Sequence, residues 1–147
     1  MNCVPFMLEV ESVLKGVSKN KSPGLDEIRV EEICLLLESK ALEVLHKLFL
    51  IFWHIETIPD TLTVMILVPL IKDVDNDNTD PPNFRPIALM SNLLKIYQSL
   101  LNRRLTRLLE DRKVFSDLQF EFRPGPGVLE AHLVFNEIYA SATNSVG

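Results

Sequence analysis

Apolar residues recur at helical spacing in several stretches of this chain. The first runs from Pro5 to Lys19, where Leu8, Val10 or Glu11, Val13, Leu14 and Val17 make an approximate stripe. Proline in the opening turn suits a helix start. A short helix is expected over Glu27–Leu37, capped by Asp26. Ser39 then caps a longer one, from Lys40 to about Ile55, whose Leu42, Leu45, Phe49, Phe52 and Trp53 should face a core. Ser91 is a good N-cap for a helix from Asn92 to about Lys113, striped by Leu93, Tyr97, Leu100, Leu101, Leu105, Leu108 and Leu109. The last helix spans Val128 to about Ala142. Between the helices, Leu62–Ile71 is apolar and β-branched, and Pro86–Leu89 offers it a short antiparallel partner. Pro69 cannot donate to a ladder, so it ends the strand or marks an edge. Pro23-Gly24 is the pair of a type II turn, with glycine supplying the positive φ. The pattern predicts an α+β fold, mostly helical, with one small hairpin.

Length and charge narrow the function. A chain of 147 residues has room for one domain with a real core. Its net charge of −5 is unusual for a nucleic-acid binder, but it is unevenly spread. Residues 1–90 hold eight Lys or Arg against fourteen Asp or Glu, whereas residues 91–147 hold seven against six. Leu48–Trp53 and Leu62–Ile71 are too short to cross a bilayer, which takes about 20 apolar residues. The N-terminal stretch lacks a basic segment before its apolar run, so no signal peptide is expected. Cys3 and Cys34 form no C-x-x-C pair and no metal spacing, which fits a reducing, intracellular compartment.

Candidate chemistry centres on Lys72 and Arg85, which flank the loop of the expected hairpin. Side by side and pointing away from the core they would grip an anion, arginine by a bidentate fork and lysine as a point charge. The loop between them carries Asp73, Asp75, Asp77 and Asp80, which would oppose an incoming triphosphate. Asp73-x-Asp75-x-Asp77 imitates a calcium loop, but Asn78 and Phe84 stand where an EF-hand needs Gly and Glu, so a solvated acidic loop is the better reading. His46 and His54 lie eight apart on one helix without completing a zinc set. Lys95, Arg103, Arg104, Arg107, Arg112 and Lys113 outnumber Glu110 and Asp111 on the helix after Ser91. That face is either a surface for nucleic-acid backbone or a solvated amphipathic face with cations near the C-terminus. No Gly-rich phosphate loop precedes a helix, which excludes an ordinary nucleotide-binding α/β domain.

Three stretches in order carry a family resemblance. Lys21-Ser22-Pro23-Gly24-Leu25-Asp26 comes first. Val68-Pro69-Leu70-Ile71-Lys72 follows, joined through the loop to Asn83-Phe84-Arg85-Pro86-Ile87-Ala88-Leu89. Gln119-Phe120-Glu121-Phe122-Arg123 comes last. Together they resemble the reverse transcriptases of non-LTR (LINE-like) retrotransposons, over about Pro5 to Ala140. The resemblance implies the fingers subdomain of a right-hand polymerase, truncated before the palm sheet. Residues 1–90 would be fingers and about 91–147 fingers and the start of the palm, with no endonuclease domain. It also implies that Lys72 and Arg85 hold the triphosphate of the incoming nucleotide. Lys21 would lie near the template path, with Arg103, Arg104, Arg107 and Arg123 as further nucleic-acid contacts. The partners would be an RNA template, a DNA primer, a deoxynucleoside triphosphate and the absent palm and thumb segments.

In that family the magnesium-binding carboxylates sit in the palm. None of their motifs is present here, so no catalytic residue, metal ligand or cofactor is expected in this chain, nor primer extension by it alone. Departures from the family pattern point to a second reading. Leu62 replaces Trp, Glu27 and Glu121 each replace Gly, and Pro126 and Gly127 replace a basic residue and Ser or Thr. These fit a decayed or domesticated copy acting, if at all, as a non-catalytic helical interaction module. Without a palm sheet, Leu133, Phe135, Ile138 and Tyr139, with Leu100 and Leu108, should be left uncovered.

Overall fold

A computed structural model describes residues 3–38, 40–72, 79–116, 119–121, 123, 125 and 127–144. It is mostly helical with one antiparallel hairpin, as the pattern predicts. The chain divides into two compact units, Met1–Leu101 and Asn102–Gly147. Ser39 and most of the acidic loop, residues 73–78, lie outside the described residues, so the cap and the calcium-like loop do too.

The first unit is built on four helices that share one core. Helix α1 (Met7–Lys15) buries Val10, Val13 and Leu14. The backbone N–H of its N-cap, Phe6, donates to the Glu9 carboxylate at 2.8 Å. Helix α2 (Val30–Cys34) adds Ile33 and runs on into a 3₁₀ turn, Leu35–Glu38. Helix α3 (Ala41–Ile55) presents Leu42, Leu45, Phe49 and Phe52 at the spacing the sequence predicts. Helix α5 (Asn92–Asp111) closes the core with Ile96, Tyr97 and Leu100. Its Ser91 cap is confirmed: the hydroxyl accepts the Leu94 N–H at 3.3 Å. Phe49, Phe52 and Tyr97 pack as an aromatic trio, with ring centroids 5.1–6.3 Å apart. The His46 Nε2 is hydrogen-bonded to the Pro5 carbonyl at 2.8 Å, which ties the N-terminal segment to α3.

The helix over Glu27–Leu37 starts later than expected, at Val30, and Asp26 is not its cap. The Asp26 carboxylate instead accepts the Ser91 hydroxyl at 2.6 Å, and Glu27 stands in the left-handed region with φ 55°. An L-residue there costs about 1–2 kcal/mol, and glycine about nothing. This is the position the resembled family fills with glycine. Glu27→Gly is therefore expected to raise stability by about 0.5–1 kcal/mol after glycine's own chain-entropy cost. Paired urea melts test this, and unchanged or lower stability would refute it.

The strand also begins later. Asp60–Thr63 forms a single helical turn (α4) after Pro59, and strand β1 is Ile66–Ile71. The Asp60 carbonyl accepts both the Val64 N–H and the Thr63 hydroxyl, which keeps this segment wound until Val64. Strand β2 is Phe84–Leu89, longer than expected by two residues. The register pairs Pro69 with Pro86, Leu70 with Arg85 and Ile71 with Phe84. The Lys72 N–H donates to the Asn83 carbonyl at 2.8 Å, so 72 and 83 form a hydrogen-bonded pair. Alternation then makes 70/85 hydrogen-bonded and 69/86 not. Both prolines therefore stand where the N–H would point away from the partner strand. They cost the ladder no bond and mark both edges.

In the second unit α5 ends in a Schellman motif. Lys113 has φ 52°, its N–H donates to Glu110, and the Val114 N–H reaches back to Leu109 at 2.9 Å. Helix α6 (Val128–Asn144) opens with the Gly127 N–H on the Glu130 carboxylate at 2.8 Å. That bond, and Glu130's own backbone N–H, hold the carboxyl below its ordinary range. Leu133, Phe135, Ile138 and Tyr139 are 61–64% exposed, as expected. Leu100 is a correction: at 1% exposure it belongs to the core of the first unit, beside Ile96 and Tyr97. Leu108 is half-buried.

Candidate nucleotide and nucleic-acid interface

The hairpin places its two cations on one face. Cross-strand partners share a face, so Arg85 lies with Leu70, and alternation puts Lys72 on that face as well. Lys72 and Arg85 are thus diagonal neighbours, a relation with a typical spacing of about 7–8 Å. Both are exposed. The Lys72 ammonium donates to the Pro82 carbonyl at 2.5 Å. The Arg85 guanidinium has no hydrogen bond or ion pair among the described residues. This face can meet an anion with one point charge and one fork. Asp80, the described end of the acidic loop, is exposed too.

The Lys21–Asp26 loop is fastened to the start of α5. The Ser91 hydroxyl donates to Asp26, and Asn92 Nδ2 donates to the Ile28 carbonyl at 2.9 Å. Ser91 and Asn92 are 2% and 1% exposed. Gly24 lies so close that a Cβ there would stand 2.5 Å from the Ser91 nitrogen and 2.7 Å from the Met90 carbonyl carbon. The expected type II turn at Pro23-Gly24 gives way to one closed by the Glu27 N–H on the Gly24 carbonyl at 3.1 Å. Glycine is needed here for close approach; its φ is not positive. Sequence alone held no signal for this seam, because the partners are 65 residues apart. Glu31 anchors the loop's other end through the Asn20 N–H at 2.6 Å. That bond, helped by Arg29 and Lys19, lowers the Glu31 carboxyl below its ordinary range.

In the second unit, Arg103, Arg107 and Arg123 line one open cleft of about 1000 Å³ with Glu110, Phe120 and Glu121. Arg104 does not line it. Arg103 and Arg107 share a helix face, being four residues apart. Arg123 is engaged: its Nε and Nη2 reach the two Glu110 carboxylate oxygens at 2.7 and 3.0 Å. Its Nη1 donates to the Ser116 carbonyl at 3.0 Å, and the guanidinium lies 5.5 Å from the Phe115 ring centroid. The Arg123 bond is the main reason the Glu110 carboxyl sits below its ordinary range. Arg103 and Arg107 also line the cleft, while Arg123 anchors the segment after α5. Among the described residues, no three His, Cys, Asp or Glu side chains converge to hold a metal ion. No described helix is long and apolar enough to cross a membrane.

No protein-family model matches the chain. Curated proteins do. The chain is 26% identical over 122 residues to the "Probable RNA-directed DNA polymerase from transposon BS" of Drosophila melanogaster, covering 83% of the chain and 13% of that protein. It is 31% identical over 131 residues to the "Retrovirus-related Pol polyprotein from type-1 retrotransposable element R1" of Bradysia coprophila, covering 87% and 13%. It is 26% identical over 140 residues to the "Probable RNA-directed DNA polymerase from transposon X-element" of Drosophila melanogaster, covering 94% and 15%. The chain therefore spans only 13–15% of the length of the curated relatives it matches. Over most of its own length, the chain is a homologue of the RNA-directed DNA polymerases of non-LTR retrotransposons.

Proposed function

We propose that this chain is fingers sequence of a retrotransposon reverse transcriptase and serves to hold the incoming nucleotide and the nucleic-acid strands. The observation that carries the reading is the common face of Lys72 and Arg85 on the hairpin. Lys72 and Arg85 meet the triphosphate, while Arg103 and Arg107 meet nucleic-acid backbone. The loop carboxylates oppose the first task, so triphosphate binding is weak and salt-sensitive. A charge-assisted contact is worth about 1.5–3 kcal/mol. Arg85→Ala is thus expected to weaken labelled-nucleotide binding by about tenfold or more and leave an RNA–DNA duplex nearly unaffected. Arg107→Ala should do the reverse. Titrations of both ligands at two salt concentrations check this, and equal effects of the two variants on both ligands would overturn it.

A second reading, a non-catalytic helical interaction module, is favoured by the exposed apolar side chains of α6. Leu129, Leu133, Phe135, Ile138 and Tyr139 are each 61–70% exposed there. Apolar area of this kind drives association. Light scattering is expected to show concentration-dependent self-association of the 147-residue chain. A monodisperse monomer over the accessible concentration range would count against it.

A further inference from the structure

We propose that a groove beside α3 is the docking site for helix α6 of a second copy of this chain. The proposal rests on the interaction-module reading above and names the partner surface that reading lacks. Helix α3 carries two apolar rows. Leu42, Leu45, Phe49 and Phe52 face the core. Val44, Leu48, Ile51 and Ile55 recur at steps of four, three and four, which sets them in a second row along the helix. In that row Val44, Ile51 and Ile55 are 67%, 50% and 62% exposed. A helix with apolar residues on more than one side is normally covered on each of them. A groove of about 380 Å³ opens at the start of the second row. Ile28 and Leu36 line it from the α2 side and Val44 and Leu48 from α3, over the buried Ile33 and Leu45. Glu32 is the one charged residue in this lining. A volume within the roughly 300–1,000 Å³ of ligand pockets takes the anchor side chains of a helix laid across it.

Helix α6 fits this groove by row, length and charge. Its Leu129, Leu133, Asn136 and Ala140 repeat the steps of four, three and four, and all are exposed. Asn136 is a single polar position within the row, the kind that fixes register between paired helices. The 15 residues of α3 and the 17 of α6 make rods of about 22 and 25 Å. Glu130 and Glu137 neighbour Leu133 at three and four residues, and α6 contains no Lys or Arg. On α3 the exposed Lys40 and Lys47 precede Val44 and Ile51 by four residues each. Glu43 lies between the two lysines on the side away from the groove, so that rim nets one positive charge. The acidic edge of α6 therefore lies toward Lys40 and Lys47 and away from Glu32. Exposed ion pairs add little strength, so the charges set orientation and the apolar rows supply the association. Reciprocal exchange of α6 between two copies closes a dimer.

Two different surfaces meeting across copies make a distinctive prediction for sedimentation of the full chain. The parent is expected to form a dimer. Val44→Asp and Leu133→Asp, both at exposed sites, are each expected to sediment as monomers while keeping the parent's circular-dichroism spectrum. An equimolar mixture of the two retains one intact groove and one intact helix that match. It is expected to give a heterodimer, weaker than the parent dimer with its two contacts. Phe135→Asp, on another side of α6, should dimerise like the parent. Lys47→Glu is expected to weaken the dimer roughly three- to tenfold, and Glu137→Lys in the same chain to restore it. This charge exchange leaves both apolar rows intact, so it reads the contact even where an aspartate disturbs a helix. A mixture that stays monomeric overturns the proposal. So does a Val44→Asp chain that dimerises like the parent, or a loss with Phe135→Asp equal to that with Leu133→Asp. In each of these cases self-association of the parent still upholds the interaction-module reading. A parent that stays monomeric at every concentration removes that reading and the docking groove with it.

Discussion

Phe49→Ala is expected to remove about 3–5 kcal/mol from the stability of the 1–101 unit. A domain of this kind has only about 5–15 kcal/mol to lose, so the variant should be partly unfolded near body temperature. The size of the effect follows from position. Phe49 is fully buried, packs on Phe52 and Tyr97, and stands where α1, α3 and α5 share the core. The control is Phe6→Ala. That ring is 56% exposed, and its loss should change stability by no more than about 0.5 kcal/mol. Urea titration followed by circular dichroism measures both. A loss below about 1 kcal/mol at Phe49 would mean that the aromatic trio is not the centre of the core.

The second large effect is expected from a single methyl group. Gly24→Ala drives a Cβ into the Ser91 nitrogen and Met90 carbonyl, both backbone atoms that have no rotamer with which to escape. The loop must lift from α5, and the strain or the displacement should cost about 1–3 kcal/mol. Lifting also breaks the Asp26–Ser91 bond, a charge-assisted contact worth about 1.5–3 kcal/mol. Asp26→Asn tests the second part alone, since the loop stays seated and only the charge is lost. Gly24→Ala should therefore be the more damaging of the two by equilibrium melting. Equal stability of Gly24→Ala and the parent would show that the seam is loose.

Local chemistry made the helices legible. The stripe of α3 is buried at Leu42, Leu45, Phe49 and Phe52, because one face met one core, while Trp53 at its margin is only half-buried. On α5 the apolar stripe accounts for Tyr97 and Leu100, whereas Leu94 and Ile96 are buried beside it. The buried side there is wider than a single stripe, since α5 meets the Lys21 loop as well as the core. Leu8 was read as part of the α1 stripe and is 74% exposed, because the helix turns only Val10, Val13 and Leu14 inward. Long-range contacts were the illegible part. Asp26, Ser91 and Asn92 each have an ordinary local meaning as caps and turn residues, and nothing in the intervening sequence couples them. The pairing of the Arg123 fork with the Glu110 carboxylate thirteen residues earlier has no local signal either. The hairpin cations were legible because alternation along a strand fixes which side chains share a face.

The Pro69–Pro86 pair has a consequence for how this molecule meets others. A two-stranded ribbon offers two open edges, the usual template for a third strand from another chain. Here each edge lacks its outward N–H at the midpoint, so an added strand would find its ladder interrupted on either side. The side chains of Leu67, Leu70 and Ile71 remain 44–67% exposed on the two broad faces. Contact with the ribbon must therefore be made flat-on, through side chains packed over a face. Growth of a cross-β stack from the edges of this ribbon is therefore not expected.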